Sequence, residues 1–230
     1  MQKFWKNNKG IIVFLLLMLF FRSAVADWYH VPSGSMQPNI LIGDRVLVNK
    51  LAFDIKIPLT QINLNRHNEP ERGDVVVFQS KQAEDRLIKR VIGLPGDSVS
   101  MLNNRLKINE KWVDTKPLAP NQPFDQFMQD RTAAYYQQEL IKSISDSAAN
   151  SIYPIRLSSM NKSRLSNFEE VLIPDDYLLV LGDNRDNSAD SRVIGLVPRA
   201  ELVGKAERVI VSFDRENYYL PRNARYWKLL

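Results

Sequence analysis

An unbroken apolar run of eleven residues, Ile11–Phe21, constrains the fold of this chain more than any other feature, because so much apolar surface must be covered or placed in lipid. Eleven residues are fewer than the roughly 20 that cross a bilayer at about 1.5 Å per residue. Residues 10–29 would suffice if the Arg22 side chain reached outward to the interface. We therefore predict a transmembrane anchor over residues 10–29, preceded by a basic cytoplasmic tail over residues 1–9.

The same segment also fits a secretory signal peptide, since a lysine-rich start and a short apolar stretch precede Ala24-Val25-Ala26, a small-x-small cleavage pattern. Both interpretations export the rest of the chain and leave the lysines in the cytoplasm by the positive-inside rule. We favour the retained anchor, because Ser35 follows so closely that a tether would hold it near the membrane surface.

The formal charge of +5 and the pI near 9.3 suggest nucleic-acid binding, but the excess is concentrated at the start of the chain. Residues 1–30 carry four cations and one carboxylate, a net +3, which leaves +2 for residues 31–230. No basic run is interleaved with aromatic residues. We therefore predict no nucleic-acid partner.

The chain has no cysteine, which excludes disulfides, thiolate nucleophiles and cysteine zinc sites. Its two histidines, His30 and His67, lack metal-binding spacing. We therefore predict no metal and no cofactor.

Short β-rich runs separated by turn residues fill residues 30–113 and 169–230 and predict a mainly β protein with an antiparallel β-sheet core. The predicted strands and hairpin lie at residues 40–48, 75–78, 86–92, 99–108, 177–181 and 209–213. The first of these is broken by Gly43-Asp44, a pair that can turn or bulge.

Residues 114–168 differ in composition, being rich in Gln, Ser, Asn and Pro, and we interpret them as an insertion into the core. We predict that this insertion is β or irregular in structure. Its one periodic feature has helix-like spacing, which indicates that part of it is helical. This stripe consists of Phe127, Tyr135, Tyr136, Leu140 and Ile144.

The segment PSGSMQP (residues 32–38) places two hydroxyls around a glycine directly after the predicted anchor. Alone, it fits a polar linker equally well. A serine becomes a strong nucleophile only beside a base, so the interpretation depends on a partner elsewhere in the chain.

Lys89 lies in a β-rich run, where neighbouring residues face opposite sides, so either Lys89 or Arg90 should point inward. A lysine among β-branched residues loses solvation, which lowers its pKa from about 10.4. A fall to about 8 would require roughly 3 kcal/mol, within what burial supplies. Such a lysine can accept a proton, although an ordinary surface lysine on an edge strand fits the same string.

The segment GDNRDNSADSR (residues 182–192) is too dense in hydrogen-bonding groups to be only a solvated loop. Its arginines and aspartates can pair bidentately into a rigid polar scaffold, and Ser188 could orient an inward lysine amine. A calcium loop is the alternative, although the glycine and terminal glutamate of an EF-hand are missing.

Taken in order, PSGSMQP, RLIKRVIGLPGD and GDNRDNSADSR resemble the successive signature segments of bacterial type I signal peptidases. The resemblance covers most of residues 10–213 outside the insertion. It implies a serine endopeptidase in which Ser35 is the nucleophile and Lys89 the general base, acting through an acyl-enzyme.

The resemblance also implies supporting roles. The Ser33 hydroxyl and the Ser35 backbone N–H would form an oxyanion hole. Ser188 would orient the lysine, and Asp190 and Arg192 would form a supporting ion pair.

The implied partners are signal-peptide-bearing preproteins, cut after a small-x-small (Ala-x-Ala) site, and membrane lipid. The implied location is the inner (plasma) membrane, crossed once, with the amino terminus cytoplasmic and the catalytic part on the outer, extracytoplasmic face. By match to the family motifs, two alanine pockets would be lined by Tyr29, Val31, Pro32, Met36, Ile40, Val46, Val76, Leu87 and Ile88.

Several alternatives stay open from the sequence. The string SMNK (residues 159–162) matches the SxxK of penicillin-binding proteins, but the companion SDN and KTG strings are missing. The self-cleaving repressors share Ser/Lys chemistry, yet carry a DNA-binding module where this chain has an apolar run. The chain could also be an inactive anchored scaffold of the same fold, or a peptidase dedicated to a narrow set of clients.

Overall fold

The computed structural model describes residues 2–60, 62–118, 133–141, 151–158 and 163–230. Within them lie the helices α1 (Gln2–Ala24) and α2 (Ser191–Ile194) and the 3-10 helices Arg164–Ser166, Arg199–Glu201 and Asn223–Arg225. The strands are β1 (Ala26–His30), β2 (Asp44–Asn49), β3 (Asp54–Lys56), β4 (Asn63–Arg66), β5 (Val75–Ser80), β6 (Asp85–Gly93), β7 (Ser98–Leu102), β8 (Arg105–Ile108), β9 (Lys111–Trp112), β10 (Asp114–Pro117), β11 (Ala133–Leu140), β12 (Ser151–Ser158), β13 (Phe168–Leu172), β14 (Tyr177–Leu181), β15 (Val197–Pro198), β16 (Leu202–Asp214), β17 (Leu220–Pro221) and β18 (Lys228–Leu229).

Antiparallel pairing organises these strands, which confirms the predicted mainly antiparallel β fold. The main sheet has the order β1-β2-β16-β5-β6-β14-β15, with β17 and β18 also pairing with β16. Smaller sheets have the orders β13-β7-β8-β9, β10-β11-β12 and β3-β4.

The centre of the main sheet is covered on both faces. On β5, Val75 and Val77 pack with Val46 in one apolar cluster, while Val76 and Phe78 pack in another on the opposite face. This two-sided burial explains why the strand is a continuous apolar run and does not alternate with polar residues.

The predicted anchor over residues 10–29 is wrong at its carboxyl end. Helix α1 ends at Ala24, and Ala26–His30 forms strand β1, which pairs with β2. At this junction the Asp27 carboxylate accepts hydrogen bonds from the Arg22 guanidinium at 2.8 and 3.0 Å and lies 3.6 Å from the Lys50 amine. In the described part of the chain, no helix combines enough length and apolarity to cross a membrane.

The described part of the insertion forms strands β10, β11 and β12, the 3-10 helix Arg164–Ser166 and no α-helix. Tyr135, Tyr136 and Leu140 all lie on β11, so the part-helical prediction is wrong for them; Phe127 and Ile144 lie outside the described residues. The spacing misled because a separation of four residues fits a strand period of two as well as a helix period of 3.6. The division of the chain into core and insertion stays a prediction.

Two further local predictions had different outcomes. The hairpin turn at Asn103-Asn104 is confirmed, with φ angles of 51° and 62° between β7 and β8. The predicted strand over 40–48 is wrong before Asp44, because the Asp44 carboxylate accepts the Leu41 N–H at 2.8 Å and holds residues 41–44 in a turn.

Candidate active site

The segment containing Ser35 connects β1 to β2 and is held from behind by the loop that follows β14. The Asn184 backbone N–H donates to the Ser35 carbonyl oxygen, and the Asn184 side-chain amide donates to the Gly34 carbonyl oxygen, both at 3.0 Å. A Cβ on Gly182 would lie 2.5 Å from the same Ser35 oxygen, so only glycine permits this approach. The Ser35 backbone is therefore fixed while its side chain is half-buried.

Strand β6 places Lys89 directly beside this serine. The Lys89 amine donates to the Ser35 hydroxyl oxygen and to the Ile88 carbonyl oxygen, each at 2.9 Å, and the Lys89 side chain is only 2% exposed. Its pairing partner across the sheet is Val76 on β5, which contributes no polar atom from its side chain. The amine is thus removed from water and aimed at a single hydroxyl.

Burial lowers the pKa of Lys89 to about 8, and the carboxylates of Asp190 and Asp183 offset only part of that fall. Loss of solvation disfavours the ammonium form, so a minor fraction of the amine is neutral near pH 7 and the neutral form predominates above about pH 8. A neutral amine within hydrogen-bond reach of a hydroxyl can accept its proton, which is the arrangement that general-base activation of a serine requires.

A second lysine has a similarly lowered pKa but a different geometry. Burial lowers the pKa of Lys228 to about 7, yet its amine donates to the Asn39 carbonyl oxygen at 3.2 Å. Proximity to a hydroxyl, more than the pKa, therefore distinguishes Lys89.

The neighbour of Lys89 is also buried, which corrects the prediction that only one of the two would point inward. Arg90 is 3% exposed, and its guanidinium forms two hydrogen bonds to the Asp183 carboxylate at 2.8 and 2.9 Å. It also lies 4.1 Å from the centroid of the Tyr153 ring. Arg90 is buried against Tyr153 of β12 and Asp183 of the loop that follows β14.

The loop over residues 182–192 contains the predicted polar scaffold. Asp190 and Arg192 form a two-pronged ion pair at 2.7 and 2.8 Å, and Asp190 also accepts the Gly182 backbone N–H at 2.9 Å. Arg185 is fully buried and contacts Gln138 and Tyr153, although none of the described carboxylates pairs with it. The catalytic role assigned to the Asp190–Arg192 pair stays a prediction.

Two of the predicted site serines make no hydrogen bond from their side chains in the described structure. The Ser188 hydroxyl is buried without a partner, so it does not bond the Lys89 amine as predicted. It packs against Gly182, where a Cβ would meet it at 2.2 Å. Ser33 is exposed on the segment two residues before Ser35, and its role in an oxyanion hole stays a prediction.

The predicted pocket residues separate into two apolar clusters. Val31, Met36, Ile40 and Val46 share one buried cluster, against which Tyr29 and Ile88 pack. Val76 and Leu87 belong to the cluster on the opposite face, and Pro32 is exposed. Ile40, Val46 and Val76 have no exposed surface, whereas Tyr29, Leu87 and Ile88 retain some. Assignment of this set to alanine pockets stays a prediction.

The sequence interpretation missed how strand β12 supports the site. Its Pro154 carbonyl oxygen accepts the Asn39 side-chain amide at 2.8 Å, and its Arg156 guanidinium donates to Gln37 at 2.6 Å. Arg156 also exchanges backbone hydrogen bonds with residues 183–185. The one sequence signal for this support was the high density of polar groups in PSGSMQP and GDNRDNSADSR, because so many polar groups require hydrogen-bond partners from other parts of the chain.

The described residues include no group of three or more histidine and carboxylate side chains arranged to hold a metal ion. The SMNK string at residues 159–162 lies outside the described residues.

Known proteins resemble this chain over nearly its whole length. The family described as signal peptidase, peptidase S26, matches residues 5–211. The chain is 31% identical to signal peptidase I of Buchnera aphidicola subsp. Schizaphis graminum, over 96% of this chain and 80% of that protein. It is 33% identical to signal peptidase I of Pseudomonas aeruginosa, over 95% of this chain and 76% of that protein.

Among solved structures, a signal peptidase I from Enterococcus faecalis matches 60% of this chain and 97% of its own, at 25% identity and a TM-score of 0.35. The match to residues 5–211, together with these identities, shows that the chain belongs to the signal peptidase family, peptidase S26.

Proposed function

We propose that the chain is a serine endopeptidase that removes amino-terminal signal peptides from exported preproteins, with Ser35 and Lys89 as its catalytic dyad. One observation carries the proposal: a buried lysine amine, with its pKa lowered to about 8, lies 2.9 Å from a serine hydroxyl. Family membership supports the same activity, since the relatives are named signal peptidase I.

The proposed reaction is an acyl transfer in two steps. Neutral Lys89 takes the proton of the Ser35 hydroxyl as its oxygen attacks the scissile carbonyl carbon. The resulting ammonium returns that proton to the leaving amine when the carbon–nitrogen bond breaks. Water then attacks the acyl carbon while Lys89 accepts a proton from it. The ester bond to Ser35 breaks, and Lys89 returns that proton to the serine oxygen, which regenerates both groups.

The proposal assigns supporting roles to four further residues. The hydroxyl of the exposed Ser33 and the Ser35 backbone N–H would stabilise the oxyanion. Asp190 and Arg192 would hold the loop behind Ser35. The buried Ser188 hydroxyl has no hydrogen-bond partner in the described structure. It would orient the Lys89 amine by moving within hydrogen-bond reach of it.

Substrate would bind along β6. From Asp85 to Lys89 this strand pairs with β5 on one side, while its pairing with β14 involves only residues from Arg90 onward. Among the described residues no strand pairs with the other edge of Asp85–Lys89, and that edge can accept an extended peptide as an added strand. Tyr29, Leu87 and Ile88 would then limit the space beside the peptide to small side chains, as an Ala-x-Ala site requires.

We further propose that α1 holds the enzyme at the inner membrane, with a single pass, the amino terminus cytoplasmic and the catalytic part outside. The apolar side chains of this helix from Phe14 to Phe21 are 39–65% exposed, a surface that lipid would cover. Extraction of membranes with alkaline carbonate tests this. The full chain should stay with the lipid, and a chain starting at Ala26 should be released; release of both would contradict the anchor.

Cleavage is tested by incubating the detergent-solubilised chain with a signal-bearing precursor and identifying the products by mass spectrometry. We expect one cut after a small-x-small site, and no cut with Ser35→Ala. The matched control is Ser98→Ala, which removes a serine hydroxyl outside the site and should cleave normally. A chain that binds the precursor without cutting it would be an inactive scaffold, and cleavage by the Ser35→Ala protein would exclude the dyad.

A further inference from the structure

The carboxyl-terminal tail folds back onto the main sheet and brings one arginine into its interior. Strands β17 and β18 both pair with β16, and Arg225 lies between them at the end of a short 3-10 helix. The Arg225 side chain is 2% exposed although it lies only five residues from the last residue of the chain. The tail thus places a guanidinium where few charged groups are found.

The Arg225 guanidinium bonds two groups on the segment that follows Ser35. It reaches the Asp44 carboxylate at 2.5 and 3.2 Å and the Asn39 carbonyl oxygen at 2.8 Å. The Asp44 carboxylate also accepts the Leu41 backbone N–H at 2.8 Å. One side chain from the tail therefore connects both ends of the turn over residues 39–44.

This turn is linked to the residue that follows each member of the dyad. The Ile40 backbone N–H donates to the Met36 carbonyl oxygen at 3.0 Å, immediately after Ser35. The Asn39 side-chain amide donates to the Asp183 carboxylate at 2.7 Å, and that carboxylate pairs with the residue after Lys89. Movement of Asn39 would therefore change the position of the nucleophile relative to the base.

We propose that Arg225 is a positioning residue, which sets the place of the Ser35 hydroxyl relative to Lys89 by holding the turn over residues 39–44. The proposal rests on the dyad function proposed above. A guanidinium is suited to this task, because its rigid fork bonds a carboxylate and a carbonyl at fixed angles, whereas an ammonium is a point charge on a flexible stem. A displacement near 1 Å is enough to slow a positioned reaction by about 100-fold.

The test compares Arg225→Lys with Arg225→Gln in the full chain, measuring kcat and KM for a signal-bearing peptide and the midpoint of thermal unfolding. Arg225→Lys keeps a cation beside Asp44, so we expect most of the thermal stability to be retained. We expect its kcat to fall by about 10- to 100-fold with KM changed by less than about threefold. Arg225→Gln should lose both kcat and stability, since the Asp44 charge is left buried and unpaired.

Arg208→Gln is the matched control, because this arginine contacts the tail through the Trp227 carbonyl oxygen but does not reach the turn. Its kcat should stay within about twofold of the parent. A folded Arg225→Lys protein with normal kcat would show that Arg225 is only structural and would overturn the proposal.

Hydrogen–deuterium exchange separates this proposal from the function on which it rests. Residues 35–44 should exchange faster in Arg225→Lys than in the parent chain, while strands β7 and β8 exchange alike in both. Unchanged exchange at residues 35–44 would overturn the positioning role even if the parent chain cleaves precursor. Faster exchange with an inactive parent chain would instead count against the proposed function.

Discussion

Strand β6 buries two adjacent cations, and the pKa of one is lowered while the pKa of the other is raised. Lys89 and Arg90 are buried to nearly the same extent, at 2% and 3% exposure. On one face, the Lys89 amine contacts a hydroxyl and a carbonyl, and burial lowers its pKa to about 8. On the other face, burial would lower the pKa of Arg90, but the paired Asp183 carboxylate, together with Tyr153 and Asp74, raises that pKa overall.

This contrast shows that burial alone does not decide what a charged side chain does. A buried cation with a bidentate carboxylate keeps its charge and becomes part of the scaffold. A buried cation without such a partner shifts toward its neutral form, which is costly for folding but suited to proton transfer.

The largest expected effect comes from exchanging the two cations. Lys89→Arg should lower kcat/KM by at least about 1000-fold, because a guanidinium does not become neutral and cannot act as a base. Arg90→Lys is the matched exchange on the opposite face and should retain far more activity, since it changes no group that contacts Ser35. Steady-state cleavage of a signal-bearing peptide measures both. Comparable losses of kcat/KM in the two proteins would show that Lys89 is no more important for catalysis than Arg90.

The next largest effect concerns the buried ion pair between Arg90 and Asp183. Arg90→Met leaves the Asp183 carboxylate buried without its partner and should lower the free energy of unfolding by about 3–5 kcal/mol. Chemical denaturation measures this. Replacing both partners together, as Arg90→Met with Asp183→Leu, should recover part of the lost free energy of unfolding, because no unpaired carboxylate then remains buried at position 183. A single mutant as stable as the parent would mean that the pair is not desolvated.

A smaller effect of opposite sign is expected on the catalytic face. The pKa of Lys89 falls from 10.5 to about 8 on folding, so below pH 8 the folded state must hold an ammonium that it disfavours. This cost is about 3 kcal/mol, and it fades as pH rises from 8 toward 10.5, where the unfolded chain also loses the proton. Lys89→Met should therefore raise the free energy of unfolding at pH 7 by up to about 3 kcal/mol.

Denaturation of the parent and Lys89→Met proteins at pH 7 and pH 10 measures that difference. We expect the advantage of the variant to be smaller at pH 10. An advantage that grows with pH, or a variant less stable than the parent at pH 7, would contradict a buried and disfavoured ammonium.

The sequence predicts the candidate dyad through the resemblance of its motifs to those of a known family. That resemblance assigns Ser35 and Lys89, and the structure places the serine hydroxyl and the lysine amine 2.9 Å apart. The antiparallel core and the turn at Asn103-Asn104 follow from strand and turn propensities, which act within a few residues.

The remaining features depend on partners that are distant along the chain. Arg225 bonds Asn39 and Asp44, which lie 186 and 181 residues away, so nothing near position 225 indicates its role. The burial of Arg90 depends on Tyr153 and Asp183, which come from β12 and from the loop after β14. Periodicity of a single segment contains no information about such packing.

Local patterns gave wrong secondary structure where the same pattern fits both a helix and a strand. Tyr136 and Leu140 are four residues apart and face the same side of strand β11, as they would on a helix. The predicted anchor over residues 10–29 includes most of Ala26–His30, whose aromatic residues suit a strand equally well and pair with β2.

The pH dependence of kcat/KM tests the central claim most directly, since it reports the pKa of the essential base in the free enzyme. If neutral Lys89 accepts the Ser35 proton, kcat/KM should rise about tenfold per pH unit below a midpoint near pH 8 and level off above it. A profile that is flat between about pH 6 and pH 9, or that falls with rising pH, would contradict proton transfer to Lys89.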